Sequence, residues 1–409
     1  MWHKNSIIHF FLLPLQRNCN LIIMRLLFLL SSIASVGGVE RVMVEKANWL
    51  SSRGHDVMIL TYEQANNPFS FKIHSAIYVK DLDCRFYTLY KENIFWRVIK
   101  KAKMRRQFKA RFHQVIDEFH PDAIVAPTNT GNFMKAIISA RKKTNIIIES
   151  HSAYQYDMMK GSIIKKARAI LLLHTYKKCD LLIALTKGDA NFWKKHVYNV
   201  KVVANPTSLY LEDIKHVKRM PGRIICPARL HPQKRLDRLI YAFSLIEKKH
   251  PLWYIDIYGD GYLKEQLLYL IKKLELTDRI HIFPPTKNIK AEYSKSQMFV
   301  LSSDYEGLSL TLLEAMSCGV PPVAVKCPYG PDEVIEHEVT GLLADMTVQD
   351  LAIKMDWMMT NNKERKKIGE RAHQYAERFK EKNILLEWEK AYFSVLTNHQ
   401  RKEIIAYRH

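Results

Sequence analysis

The chain has 409 residues, 47% of them hydrophobic and 25% charged, enough for two to three domains with full cores. Its 63 lysines and arginines outnumber 41 acids, and the net charge of +22 implies an acidic partner: phosphates, anionic lipid or nucleic acid. Six scattered cysteines (19, 84, 179, 226, 318 and 327), with no Cys-x-x-Cys pair, argue against a disulfide framework or a zinc site.

The first apolar run, 7–15, is too short to span a bilayer and is broken by Gln16 and Arg17. Pro14 and Arg17 fit a signal peptide poorly, so residues 1–23 are expected to be an extension ahead of a native start at Met24. Residues 25–33 read as a first buried strand, followed by a loop with Gly37 and Gly38. A helix carrying Val42, Val44, Ala47 and Leu50 comes next, with Gly54 at its C-cap, and then a strand over 55–61. Strand, glycine-bearing loop, helix and strand form the first half of a doubly wound unit. The glycine pair fits a plain tight turn or a ligand-facing loop, and it is not a GxGxxG dinucleotide fingerprint.

Residues 93–119 are strongly basic, with Arg97, Lys100, Lys101, Lys103, Arg105, Arg106, Lys109 and Arg111. Phe95, Ile99, Ala102, Phe108, Phe112, Val115, Ile116 and Phe119 recur at helical spacing. Such a helix suits an anionic membrane surface, and equally a solvated basic face on a packed helix. No nucleic-acid recognition motif accompanies the charge, so no nucleic-acid partner is expected. Further strands read at 121–126, 145–149, 181–184 and 200–203. The one at 145–149 leads to His151, a histidine that is structural in most settings but here lies just past a strand end.

Residues 209–221 are polar and read as a linker. A second doubly wound domain follows, with strands at 224–226, 253–258, 280–282, 298–301 and 323–325. Arg229 and Lys234 lie just past its first strand, where each can neutralise a phosphate. Gly259, Asp260 and Gly261 follow the second strand, and these glycines serve either an ordinary turn or a close approach to a nucleotide. After 298–301 come Glu306, Gly307, Leu308 and Ser309 at a helix start, where amide N–H groups and the helix dipole favour a diphosphate. Glu314 lies two turns into that helix, which Gly319, Pro321 and Pro322 end. By themselves the two glutamates are equally a loop acid and a solvated helix residue. The 349–407 tail is helical by pattern, and Leu385, Leu386, Trp388, Ala391, Tyr392 and Val395 give it one apolar stripe.

The run Glu306-Gly307-x6-Glu314-Ala315-Met316-x-Cys318-Gly319-x-Pro321 resembles the signature of retaining GT-B glycosyltransferases of family 4, the glycosyl transferases group 1. The resemblance spans nearly everything from Met24 onward. It implies an α/β fold of two Rossmann-like doubly wound parallel-sheet domains facing a cleft. These are an acceptor-binding domain over 24–208 and, beyond the 209–221 linker, a nucleotide-sugar domain over 222–382, with a helix over 383–409 crossing back. It further implies that Arg229 and Lys234 hold the leaving diphosphate, that Glu306 holds the donor sugar and Glu314 the ribose. His151 would support the sugar from the opposite domain, with Gly37, Gly38 and Glu40 facing the donor phosphates and acceptor. The usual glycine after the lysine is Arg235 here, and Phe283-Pro284-Pro285 replaces a glycine common near the base.

Cys318 to Pro322 and Cys327 to Ile335 look like the bacterial branch that assembles capsule, O-antigen and glycan repeat units on lipid carriers. The expected reaction moves a hexosyl or N-acetylhexosaminyl group from a nucleoside diphosphate sugar, UDP being the expected carrier, to a lipid-linked saccharide at the inner face of the cytoplasmic membrane. No cofactor or metal is expected. Asp81-Leu82-Asp83 mimics a metal-binding D-x-D but lies outside the nucleotide domain and reads as coincidence.

Overall fold

The computed structural model describes residues 23–396, apart from 35–36, 92, 132 and 160–161. The expected N-terminal extension and the last residues of the tail therefore lie outside the described residues, except for Ile23.

Two all-parallel sheets form the frame. The first comprises β1 (Arg25–Leu30), β2 (Asp56–Thr61), β3 (Tyr78–Asp81), β4 (Ala123–Pro127), β5 (Asn145–Ser150), β6 (Leu181–Ala184) and β7 (Val200–Val202). Their order is β3-β2-β1-β4-β5-β6-β7. The second comprises β8 (Arg223–Pro227), β9 (Tyr254–Tyr258), β10 (Ile280–Phe283), β11 (Met298–Leu301), β12 (Pro322–Val325) and β13 (Leu342–Ala344), in the order β10-β9-β8-β11-β12-β13. Helices cover both faces of each sheet, which is why the central strands are apolar along their whole length rather than alternating. Both sheets reverse direction of growth beside their first strand, between β1 and β4 and between β8 and β11. In such sheets the crevice at the strands' carboxyl ends at this point is where ligands bind.

Strands β3 and β13 were not expected. β3 is a short, half-exposed edge strand with no apolar run, and β13 has only three residues. The remaining strands fall within a residue or two of the expected spans, with β1 ending earlier, at Leu30. Residues 203–222 form no helix or strand. The closing helix Glu381–Phe393 packs on the first sheet's side, where Tyr392 meets Phe28 edge-on and Trp388 Nε1 donates to the Ala204 carbonyl at 2.8 Å.

The basic helix spans Ile94–Phe119, with the Asn93 side chain capping Trp96 N–H at 3.0 Å and left-handed His120 ending it. Its two halves differ. Phe108, Phe112, Val115 and Ile116 are buried, whereas Ile94, Phe95, Trp96, Val98 and Ile99 stand in solvent, Ile94 at 79% and Phe95 at 66% exposure.

Candidate active site

The loops after β8 and β11 meet at the second sheet's switch point and are stitched together. Asp304 N–H donates to the Gln233 carbonyl at 2.9 Å, and the Gln233 side chain donates to the Tyr305 carbonyl at 2.8 Å. Arg235 and Arg238 both reach Asp304. This frame places Lys234 Nζ 2.6 Å from Glu306 Oε1, which also accepts from Ser303 Oγ at 2.5 Å. Glu306 is buried and Lys234 nearly so. Of the expected basic and acidic members of the site, Lys234 and Glu306 are thus one ion pair.

The helix Leu310–Ser317 starts beside them, its end marked by Gly319 in the left-handed region. The Glu306 N–H is not an open donor, since it bonds the Pro328 carbonyl at 3.2 Å. Among the described residues neither the Gly307 nor the Leu308 N–H has a backbone acceptor, so these two remain for an anion. Leu308 packs in the core and Ser309 Oγ lies 3.2 Å from Thr311 Oγ1.

The first domain closes over this edge. A Cβ on Gly307 would lie 2.9 Å from the His151 carbonyl oxygen, so only glycine lets the two loops approach this closely. Gly38 faces Leu310 across the same gap, and the Glu40 carboxylate folds back over Gly37. Tyr156 stacks over Tyr305 with centroids 6.2 Å apart, and Glu333 accepts the N–H groups of Lys187 and Gly188, each at 2.6 Å. Arg41, one turn into the first helix, Gly38–Ser52, reaches Glu314 Oε1 at 2.6 Å, while Tyr293 O–H donates to the other Glu314 oxygen at 3.0 Å.

On the first-domain wall, His151 Nε2 is 2.7 Å from Glu149 Oε2. Burial pushes the imidazole below its ordinary value, with the Glu149 hydrogen bond opposing. Burial also works against the Glu149 charge, but Lys46 and His151 outweigh it and hold that carboxyl down at about 2.

Sequence comparison bears on what these two facing domains do. The model described as Glycosyltransferase Family 4 matches residues 36–209, and that described as Glycosyl transferases group 1 matches residues 212–375. The chain belongs to this glycosyltransferase family. A glycosyltransferase of Haemophilus influenzae is 25% identical over 364 residues, covering 88% of this chain and 98% of that one. An alpha-1,4-N-acetyl-D-galactosaminyltransferase of Campylobacter jejuni, whose named substrate is a diNAcBac-PP-undecaprenol-linked saccharide, is 26% identical over 89% of this chain and 97% of its own. The fold of S. aureus TarM, solved with UDP, superposes with a TM-score of 0.75 at 14% identity, covering 90% of this chain and 99% of that one. The enzyme is therefore a GT-B glycosyltransferase of the kind found in polysaccharide and glycan biosynthesis.

Not every expected residue of this glycosyltransferase joins the cluster. Arg229 is exposed and holds no acid within ion-pair distance among the described residues. Added Cβ atoms at Gly259 and Gly261 would meet the carbonyl oxygens of Ala228 and Leu230 at 1.9 and 2.5 Å, so these glycines admit the neighbouring loop. The Asp260 side chain accepts from Gly261 N–H at 2.8 Å, a local turn contact. Asp81 is occupied by Thr61 Oγ1 and the Gln64 N–H, and among the described residues no group of three His, Cys, Asp or Glu is placed to hold a metal.

Ser303, Tyr293, Arg41 and Lys46 are site residues that sequence reasoning did not single out. Lys46 did carry a signal, because it shares a helix face with Val42 and Leu50 at four-residue spacing, where a charge is out of place. Arg41 and Tyr293 meet Glu314 only through the fold, whereas Ser303 lies three residues before its partner Glu306 in the same loop.

Proposed function

We propose that this glycosyltransferase moves a hexosyl or N-acetylhexosaminyl group, with retention, from a UDP-sugar to a hydroxyl of a lipid-linked saccharide. The observation that carries the reading is the Lys234–Glu306 pair set at a helix start and roofed by the His151 loop. On this reading the diphosphate takes Lys234, the Gly307 and Leu308 N–H groups and the exposed Arg229 fork. Glu306 is thereby released toward the donor sugar. As the bond from the anomeric carbon to the phosphate oxygen breaks, its electron pair leaves on the diphosphate, where these groups offset the growing charge. The acceptor oxygen bonds the same face of that carbon, and its proton passes to the departing phosphate oxygen. No protein nucleophile and no metal takes part. Glu314 holds the ribose once Arg41 yields it, and neutral His151 supports the sugar from the first domain.

The acceptor side is supported by the basic helix. A cavity of about 400 Å³ lies between its first turns and the end of β2, lined by Tyr62, Phe86, Tyr87, Arg97, Lys101 and Arg105 among others. Burial and then neighbouring cations, Arg168 included, hold Lys101 and Arg105 below their ordinary values, which an anion would relieve. Beside it stand the exposed Ile94, Phe95, Trp96 and Ile99. Apolar side chains next to a cationic recess suit the surface of an anionic bilayer and the diphosphate of a lipid carrier. The C. jejuni relative, named for a PP-undecaprenol saccharide, supports this acceptor reading, and TarM, solved with UDP, supports the donor reading. Among the described residues no helix is long and apolar enough to cross a membrane, and the association we propose is a peripheral one through this basic helix.

The test is a thermal-shift screen of nucleoside diphosphate sugars, followed by UDP release with a polyprenyl diphosphate-linked saccharide. Stabilisation by a UDP-sugar at 100-fold its dissociation constant should reach about 2.7 kcal/mol. Stabilisation by no nucleotide sugar, or turnover that depends on added Mn²⁺ or Mg²⁺, would overturn the reading.

A further inference from the structure

Behind His151 lies a buried charged network that the proposed chemistry leaves unused. Lys46, from the first helix, is fully buried, and its ammonium contacts Glu149 and sits 3.5 Å over the Trp388 ring. Glu149, at the end of β5, is wholly buried too. Its Oε1 accepts the Tyr392 O–H at 2.5 Å, and its Oε2 takes both Lys46 and His151 Nε2. Trp388 and Tyr392 belong to the closing helix, beyond both segments that the family models match.

A buried ion pair is weak evidence for stability, because well-packed apolar residues of similar volume commonly do as well. A carboxylate, however, does something for a histidine that an apolar residue cannot. An ionised carboxylate only accepts, so the ring nitrogen facing it must carry the proton. Lys46 and Tyr392 O–H keep Glu149 in that accepting state and fix its orientation.

We propose that Lys46, Glu149 and Tyr392 are positioning residues that hold His151 as the Nε2–H tautomer, leaving Nδ1 as a hydrogen-bond acceptor for a substrate hydroxyl. The closing helix is then part of the reaction cleft, since its phenol completes the set. This inference rests on the reading in which His151 faces the donor sugar.

The experiment measures the tautomer directly. The full-length protein is labelled with ¹⁵N-histidine, and long-range ¹H–¹⁵N spectra are recorded through pH 5 to 9, with His151→Gln identifying the signal. Wild type should show one tautomer, protonated at Nε2. In the paired variant Lys46→Met with Glu149→Gln, which removes both charges and keeps volume, that single tautomer should give way to a mixture. UDP-glucose and UDP-N-acetylglucosamine hydrolysis should lose at least tenfold in kcat, with KM changed less than threefold. Tyr392→Phe keeps the ring and removes one donor from Glu149. The carboxylate then pulls harder on the imidazole, so the His151 titration and the acid limb of the pH profile should both move to higher pH. An unchanged tautomer in the paired variant overturns the proposal. If that variant does not fold, an unmoved titration in Tyr392→Phe overturns it as well. Should His151→Gln hydrolyse both sugars normally, the catalytic reading of His151 fails while the tautomer result stands by itself.

Discussion

Lys234 and Glu306 neutralise each other at 2.6 Å, and on the proposed chemistry a diphosphate that takes Lys234 releases the Glu306 carboxylate. Glu306→Gln keeps the shape and removes that charge. If Glu306 acts on the transition state, kcat should fall by about 10²–10³ while donor affinity changes far less. A folded variant with near-normal kcat in steady-state assays would end the assignment. Next in the chain, Arg235 has φ +47°, the left-handed region that suits glycine. This is a physical reason for the glycine common at that position in the family. Here the arginine offsets its backbone strain through Asp237 and Asp304. Arg235→Gly should thus change stability by less than about 1 kcal/mol in urea unfolding, strain relief and lost ion pairs nearly cancelling. A loss above about 2 kcal/mol would mean the pairs dominate. At this scale Lys234 and Glu306 could be placed because each follows the end of a strand, β8 and β11, while the resemblance to the family rather than spacing singled out Glu314 within its helix. Arg41 and Tyr293 were not legible, because they reach Glu314 from elsewhere in the chain, and Ser303 was not, because a loop serine three residues from a glutamate carries no signal of its own.

The basic helix shows why an apolar stripe does not say what it packs against. Its spacing is uniform from Phe95 to Phe119, yet only the half from Phe108 onward meets the core. The two halves should therefore respond oppositely. Phe108→Ala should cost about 3–5 kcal/mol as a buried aromatic truncated among Tyr62, Phe112 and Phe133. Changing Phe95, Trp96 and Ile99 together to serine should leave stability within about 1 kcal/mol, since exposed substitutions are individually small. The triple variant should nevertheless lose sedimentation with phosphatidylglycerol vesicles. Wild-type binding should weaken in high salt and be poor on neutral vesicles. Equal wild-type binding to neutral vesicles, or stronger binding to duplex DNA, would remove the membrane assignment. The same limit hid β3 and β13. The first sits half-exposed at an edge and the second is three residues long, and neither has the apolar run that marks a buried central strand.

Both domains and their alternation of strand and helix could be read in advance, because each doubly wound half repeats the same local pattern. What holds the halves together could not, since the contacts link residues more than a hundred positions apart. Arg41 reaches Glu314, Glu333 caps the N–H groups of Lys187 and Gly188, and Glu389 of the closing helix meets His55 and Arg53. At the first of these junctions sits Glu45, one turn after Arg41. Burial raises its carboxyl from 4.5 to about 7; Arg41 opposes this, while Glu381 and Glu314 add repulsion and Ser208 donates a hydrogen bond. The folded state then holds a proton that the unfolded chain has released. The resulting stabilisation is complete below about pH 4.5 and is lost as the pH climbs through 7. Glu45→Gln imitates the protonated form at every pH. Its melting temperature should match wild type near pH 4.5 and exceed it by pH 8, because Arg41 keeps Glu314 as a partner. Other titrating groups are common to both proteins and cancel in the difference. Melting curves taken in half-unit steps from pH 4.5 to 8 measure it, and a constant offset between the two proteins would show that Glu45 is charged throughout and that the junction carries no proton.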